Sequence, residues 1–231
     1  MTPMFAARSN IGVITRQAWW AYGLLSLFVN LTAEPAMAAD PIRLLAFGDS
    51  LTAGYNLPAG DAFPAKLEAA LRARGYVVRV INAGVSGDTS AGGRARLDWT
   101  LADRPDYAVV ELGANDALRG IDPKITAANL DAILSVLRQR GVKVLLAGML
   151  APRNMGAAYV REFDAIYPRL ARTHDVPLYP FFLEGVALRR DLTQPDGMHP
   201  NAQGVEVVVR GILPAVERLI GPPPPAAREA P

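Results

Sequence analysis

The sequence predicts a fold of the α/β class: a three-layer α/β/α sandwich around a five-stranded parallel sheet. Two observations carry that prediction. Ile42–Phe47, Val77–Ile81, Tyr107–Leu112, Val142–Met149 and Pro177–Phe182 are short, nearly unbroken apolar runs, the pattern of strands buried on both faces. Between them lie amphipathic helical periods, so strand and helix alternate along the chain. Alternation of this kind implies right-handed crossovers, with helices covering a parallel sheet.

Taken in order, the chain opens with a leader. Arg8 and Arg16 precede an apolar stretch over 18–29, and Ala36 and Ala38 then stand at the −3 and −1 positions of a small-x-small end. A basic start, a short apolar core and such an end make a Sec-type signal peptide over residues 1–38, cleaved before Ala39. The apolar core is short for a membrane span, so export to the periplasm or medium with no lasting anchor is expected. After the first strand, Phe63, Leu67, Ala70 and Leu71 mark a helix, and Gly75 stands where it should stop. Leu130, Ile133, Leu134 and Leu137 mark a second, ended before Gly141. Phe163, Ile166, Tyr167 and Leu170 fall at i, i+3, i+4 and i+7, as do Val205, Val208, Val209 and Ile212. No linker divides residues 39–220, which read as one domain. The proline-rich end, 221–231, cannot continue a helix and reads as a disordered tail.

Composition narrows the chemistry. The 24 Lys and Arg residues nearly balance 22 Asp and Glu, with no like-charge run, so nothing favours a nucleic-acid partner. The absence of cysteine excludes disulfides, thiolate metal sites and a cysteine nucleophile. A monomer is expected.

In a parallel α/β sheet, ligands bind at the carboxyl ends of the strands, and four polar segments fall there. They are Gly48-Asp49-Ser50, the turn from Gly84 to Thr89, Gly113 to Asp116, and Asp196 to His199. Of the two histidines, His174 reads as a surface residue at a helix end. His199 lies in a polar loop three residues after Asp196, which can fold back onto Nδ1 and leave Nε2 to accept a proton. Of the serines past the leader, Ser135 lies inside a helix, and Ser86 and Ser90 lie in a glycine-rich turn. Ser50 directly follows a buried strand and suits either a helix N-cap or a nucleophile. Asn115 can offer a side-chain amide to an oxyanion, or close a turn. Gly87 can offer a backbone N–H with no side chain in the way. Convergence of four loops on one sheet edge favours acyl transfer. The rival is a metal-dependent phosphohydrolase using Asp49, Asp88, Asp116 and Asp196 as oxygen ligands; a non-catalytic acyl carrier is the other alternative.

Four blocks resemble those of the SGNH (GDSL) hydrolases, in the family's order. They are Gly-Asp-Ser-Leu-Thr-Ala-Gly-Tyr at 48–55, Asn-Ala-Gly-Val-Ser-Gly-Asp-Thr at 82–89, Gly-Ala-Asn-Asp at 113–116 and Asp-Gly-Met-His-Pro at 196–200. The segments at 110–120 and 165–170 are similar to those of the periplasmic esterase, thioesterase and lysophospholipase members. The resemblance implies a flavodoxin-like SGNH fold, Ser50 as nucleophile, and Asp196 with His199 as its supporting pair. It further implies an oxyanion hole made by the Ser50 and Gly87 N–H groups and the Asn115 side chain. The implied substrates are small-molecule acyl esters or thioesters (arylesters, acyl-CoA, lysophospholipids), with no cofactor and no metal. Leu118 and Ile121, on the loop after Asn115, would then contact the acyl chain.

Overall fold

The structure is a computed structural model that describes residues 40–223. The leader, its cleavage site before Ala39 and most of the proline-rich tail lie outside the described residues. Five parallel strands form one sheet in the order β2-β1-β3-β4-β5. They are β1 (Ile42–Gly48), β2 (Val78–Gly84), β3 (Tyr107–Glu111), β4 (Lys143–Ala147) and β5 (Leu178–Tyr179). Leu44, Leu45, Ala46 and Phe47 on β1 and Ala108 and Val110 on β3 have no exposed surface, because helices cover both faces.

Among the described residues eight α-helices flank the strands: α1 (Ser50–Ala53), α2 (Phe63–Arg72), α3 (Ser90–Thr100), α4 (Ala114–Leu118), α5 (Pro123–Gln139), α6 (Ala157–Asp164), α7 (Ile166–His174) and, after the last strand, α8 (Ala202–Ile220). Helix α2 packs on α8 in one layer, and α5 packs on α3 and α7 in the other. The apolar positions read from the sequence supply the buried faces: Phe63, Leu67 and Leu71 on α2, Leu130, Ile133, Leu134 and Leu137 on α5, Val205, Val208, Val209 and Ile212 on α8. At roughly 1.5–3 kcal/mol for each large side chain fully buried, these stripes hold the layers to the sheet. Residues 44 and 45 of β1 stand opposite Tyr107 and Ala108 of β3, while β2 runs along the other side of β1. The chain order therefore reverses between β1 and β3, and the crevice at their carboxyl ends is the topological switch point of such a sheet.

Three expectations need correction. The fifth strand spans Leu178–Tyr179, not Pro177–Phe182, and pairs only with Leu146 and Ala147. Pro180 has no N–H to continue the ladder, and Phe182 is buried for packing, its ring edge-on to Phe63 at 5.0 Å. The period running from Phe163 to Leu170 spans two helices, α6 and α7. Pro168 cannot donate to the Asp164 carbonyl, which interrupts the ladder at Ala165. His174 does end a helix, but it is buried, with Nε2 2.7 Å from Asp131 Oδ1 on α5.

Candidate active site

Ser50 is the first residue of α1, directly above the end of β1. Its hydroxyl is not needed as a cap, because Asp49 is the N-cap: Leu51 N–H donates to Asp49 Oδ1 at 3.0 Å. The side chain is thereby free to meet His199, whose Nε2 lies 2.8 Å from Ser50 Oγ. On the other side of the ring, Nδ1 lies 2.7 Å from Asp196 Oδ2. The Asp196–His199 loop is a tight turn in which Asp196 Oδ1 accepts from the Met198 and His199 N–H groups at 2.9 and 3.0 Å. Partial burial works against the Asp196 charge, but those two N–H groups and His199 outweigh it and hold the carboxyl below its ordinary range. Tyr55, at the end of the first block, tilts against the imidazole with ring centroids 4.6 Å apart.

The opposite wall comes from the loops after β2 and β3. Gly87 lies at φ 84°, a left-handed turn position where a side chain would be strained. Its carbonyl accepts from Arg119 Nη2 at 2.8 Å, which ties the loop after α4 to the turn. Asn115, on α4, donates from Nδ2 to Asp88 O at 2.9 Å and to Asp49 Oδ2 at 3.1 Å. These bonds fix the amide between the turn after β2 and the residue that precedes Ser50. Leu118 is 54% exposed at the end of α4; Ile121 is half-buried in the next turn, its carbonyl accepting from Tyr159 OH at 2.9 Å.

Beneath these loops is a polar frame that the sequence did not announce. Ser90 N–H and Oγ and the Thr126 hydroxyl all donate to the Asp116 carboxylate, locking α3, α4 and α5 together. Arg96 donates to Asp88 Oδ2 at 2.6 Å, and to Ala83 O and Gly48 O at 2.8 Å each. Its guanidinium lies over the Phe47 ring at 4.5 Å. Two signals were available for this frame: a charged residue within the glycine-rich third helix, and an acid, Glu111, inside the apolar run of β3. The four aspartates of the phosphohydrolase alternative do not converge. Asp49 serves Leu51 and Asn115, Asp88 serves Arg96, Asp116 serves Ser90 and Thr126, and Asp196 serves His199. Among the described residues no three His, Asp or Glu side chains form a metal-holding group.

The arrangement therefore brings Ser50, Asp196, His199, Gly87 and Asn115 to one crevice, with Leu118 and Ile121 on the adjoining loop. A histidine oriented by a carboxylate and bonded to an uncapped serine can activate that hydroxyl.

Comparison with known proteins gives the same direction. The GDSL-like lipase/acylhydrolase family matches residues 46–207. Thioesterase 1/protease 1/lysophospholipase L1 of Escherichia coli K12 is 44% identical over 176 residues, covering 76% of this chain and 82% of that protein. An arylesterase of Vibrio mimicus is 41% identical over 181 residues, covering 78% and 90%. The crystal structure of AlinE4, an SGNH-hydrolase family esterase, superposes with a TM-score of 0.67 at 51% identity, covering 80% of this chain and 99% of that one. With the matched span taking in all four blocks, the chain belongs to the GDSL-like lipase/acylhydrolase family, the SGNH hydrolases, and is an ester hydrolase of it.

Proposed function

We propose that this hydrolase works by two-step acyl transfer through an acyl-enzyme on Ser50, acting on small-molecule acyl esters and thioesters. The observation that carries the reading is the unbroken relay from Asp196 Oδ2 to His199 Nδ1 at 2.7 Å and from His199 Nε2 to Ser50 Oγ at 2.8 Å. Ser50 attacks the carbonyl carbon while His199 Nε2 takes its proton; the carbonyl electrons move onto the oxygen. The Ser50 and Gly87 N–H groups and Asn115 Nδ2 stabilise that oxyanion. Collapse of the tetrahedral intermediate expels the alcohol or thiol, protonated by His199, and water repeats the sequence to release the acid. Asp196, held ionised, keeps the ring in the tautomer that leaves Nε2 free. The hole contacts the carbonyl and not the leaving group, so oxygen and sulfur esters both fit. Arylesters, acyl-CoA and lysophospholipids are the proposed classes, with Leu118 and Ile121 against the acyl chain.

A panel of p-nitrophenyl esters of increasing chain length, beside acyl-CoA and lysophospholipid, tests this. Turnover is expected on both ester and thioester, with binding tightening by up to about 0.8 kcal/mol per methylene until the groove is full. Ser50→Ala should melt like the parent and show no turnover on any member; activity retained by that variant rules out the scheme.

The leader pattern over residues 1–38 supports export, with the mature chain a monomer beginning at Ala39. N-terminal sequencing of protein from the periplasm or medium should read from Ala39, whereas Met1 in the membrane fraction would mean an anchor.

A further inference from the structure

Below the oxyanion side of the crevice sits an acid for which the scheme above has no role. Glu111 ends β3 and is completely buried. Its Oε2 accepts from Thr52 Oγ1 at 2.8 Å and from Asp49 N–H at 3.4 Å, while Oε1 has no hydrogen-bond partner. The space it fills is the one left by Gly48, its register partner on β1. A Cβ at Gly48 would collide with Thr52 Oγ1 and with the Glu111 carboxyl. Glu111 is thus wedged between the two central strands, directly under the first turn of α1.

The groups around it are acids and hydroxyls, with one cation committed elsewhere. Asp49 and Thr52 face it from the start of α1. Asp116 lies on α4, and Tyr167 on α7 donates its hydroxyl to Leu112 O at 2.9 Å. Arg96 on α3 has its guanidinium committed to Gly48 O, Ala83 O and Asp88. Glu111 makes no ion pair among the described residues. An ionised carboxylate here would leave one oxygen bare in a dry interior, beside a second carboxyl. Burial first, and then the Asp49 charge, push the Glu111 carboxyl well above its usual range. Asp49 is also raised, chiefly by burial, to about 6, but it has ligands for a charge in Leu51 N–H and Asn115 Nδ2. Two carboxyls placed so closely settle their protonation jointly.

We propose that Glu111 is a positioning residue held as a neutral carboxylic acid, so that Asp49 alone carries the charge that orients the Asn115 amide towards Ser50. The proposal rests on Asn115 being an oxyanion donor. As a neutral acid, Glu111 anchors the Asp49 backbone and the Thr52 hydroxyl without repelling the Asp49 carboxylate. A second negative charge there would drive Asp49 away from Leu51 and Asn115, and would loosen the cap of α1 with the donor.

Two substitutions in the full chain separate charge from shape. Glu111→Gln keeps a neutral group of the same shape, and should retain kcat, KM and the pH–rate profile within about twofold. Glu111→Leu removes the acceptor for Asp49 N–H and Thr52, and should lower kcat by ~10–10²-fold through misplacement of the site, with KM little changed. A second readout needs no turnover. A carboxyl raised by folding favours the folded state below its ordinary range, and that contribution disappears as pH rises towards the folded value. Glutamine has no such dependence, so the Tm of Glu111→Gln minus that of the parent should widen as pH rises above the ordinary carboxylate range. A constant Tm difference across pH overturns the neutral state, as does Glu111→Gln losing as much kcat as Glu111→Leu. Full kcat in Glu111→Leu would remove the positioning role. If Glu111→Leu does not fold, the glutamine variant and the Tm series still decide. Turnover surviving in Ser50→Ala would strike the acyl-enzyme reading instead, and leaves the Tm series as the measure of Glu111.

Discussion

His199 and His174 each place a ring nitrogen 2.7 Å from an aspartate oxygen, yet only one of the two sets its second nitrogen against a hydroxyl. At His199 the carboxylate takes Nδ1 and Nε2 projects onto Ser50 at 2.8 Å, in a crevice open at the carboxyl ends of β1 and β3. At His174 the carboxylate of Asp131 takes Nε2, and Nδ1 is buried with no partner. That ring lies between α7 and α5, with its side chain only 6% exposed. A histidine–aspartate pair is thus a base only if the second nitrogen faces a group that can give up a proton and a space where substrate can reach it. Otherwise the same pair is a helix-to-helix clamp.

Replacing each side of this contrast in turn should separate the two roles. His199→Ala removes the base, and by analogy with triads in which members act as a unit should cost ~10⁴-fold or more in kcat. Asn115→Ala comes next. Losing one oxyanion donor should lower kcat by ~10²–10³ with KM little changed; lost stability with intact turnover would instead make Asn115 a turn residue. His174→Ala has the smallest effect on chemistry. It should leave kcat and the pH profile unchanged and lower stability by about 0.5–3 kcal/mol, the usual range for a single substitution. A His174 variant that loses turnover, beside an active His199 variant, would invert the comparison.

The two histidines also mark where the sequence could be read and where it could not. His199 was legible because its partner lies three residues away, in a loop whose turn formers bring the two together. Asp131 is 43 residues from His174, and nothing local signals that they meet, so a surface position was the natural reading. The same distinction runs through the fold. Strands β1 to β4 and helices α2, α5 and α8 were visible because burial on both faces, or on one stripe, writes itself into the apolar pattern. Helix α3 was not, because its buried face is Ser90, Gly93, Leu97 and Thr100, with little apolar period to detect. The frame made by Asp116, Arg96 and Glu111 escaped for a related reason: each acts across elements distant in the chain. Ser50 stood between cap and nucleophile in the sequence, and the residue that resolves its geometry is the neighbour, Asp49, which takes the capping bond itself.

Activation of Ser50, and of no other hydroxyl, by the His199–Asp196 pair is the step on which the proposed mechanism turns. It is tested most directly by treating the intact protein with a fluorophosphonate and mapping the adduct by mass spectrometry, with the His174→Ala and His199→Ala variants alongside. One adduct is expected, on Ser50, formed at the parent rate in His174→Ala and nearly abolished in His199→Ala. An adduct on Ser86, Ser90 or Ser135, or Ser50 labelling that survives the loss of His199 undiminished, would contradict it.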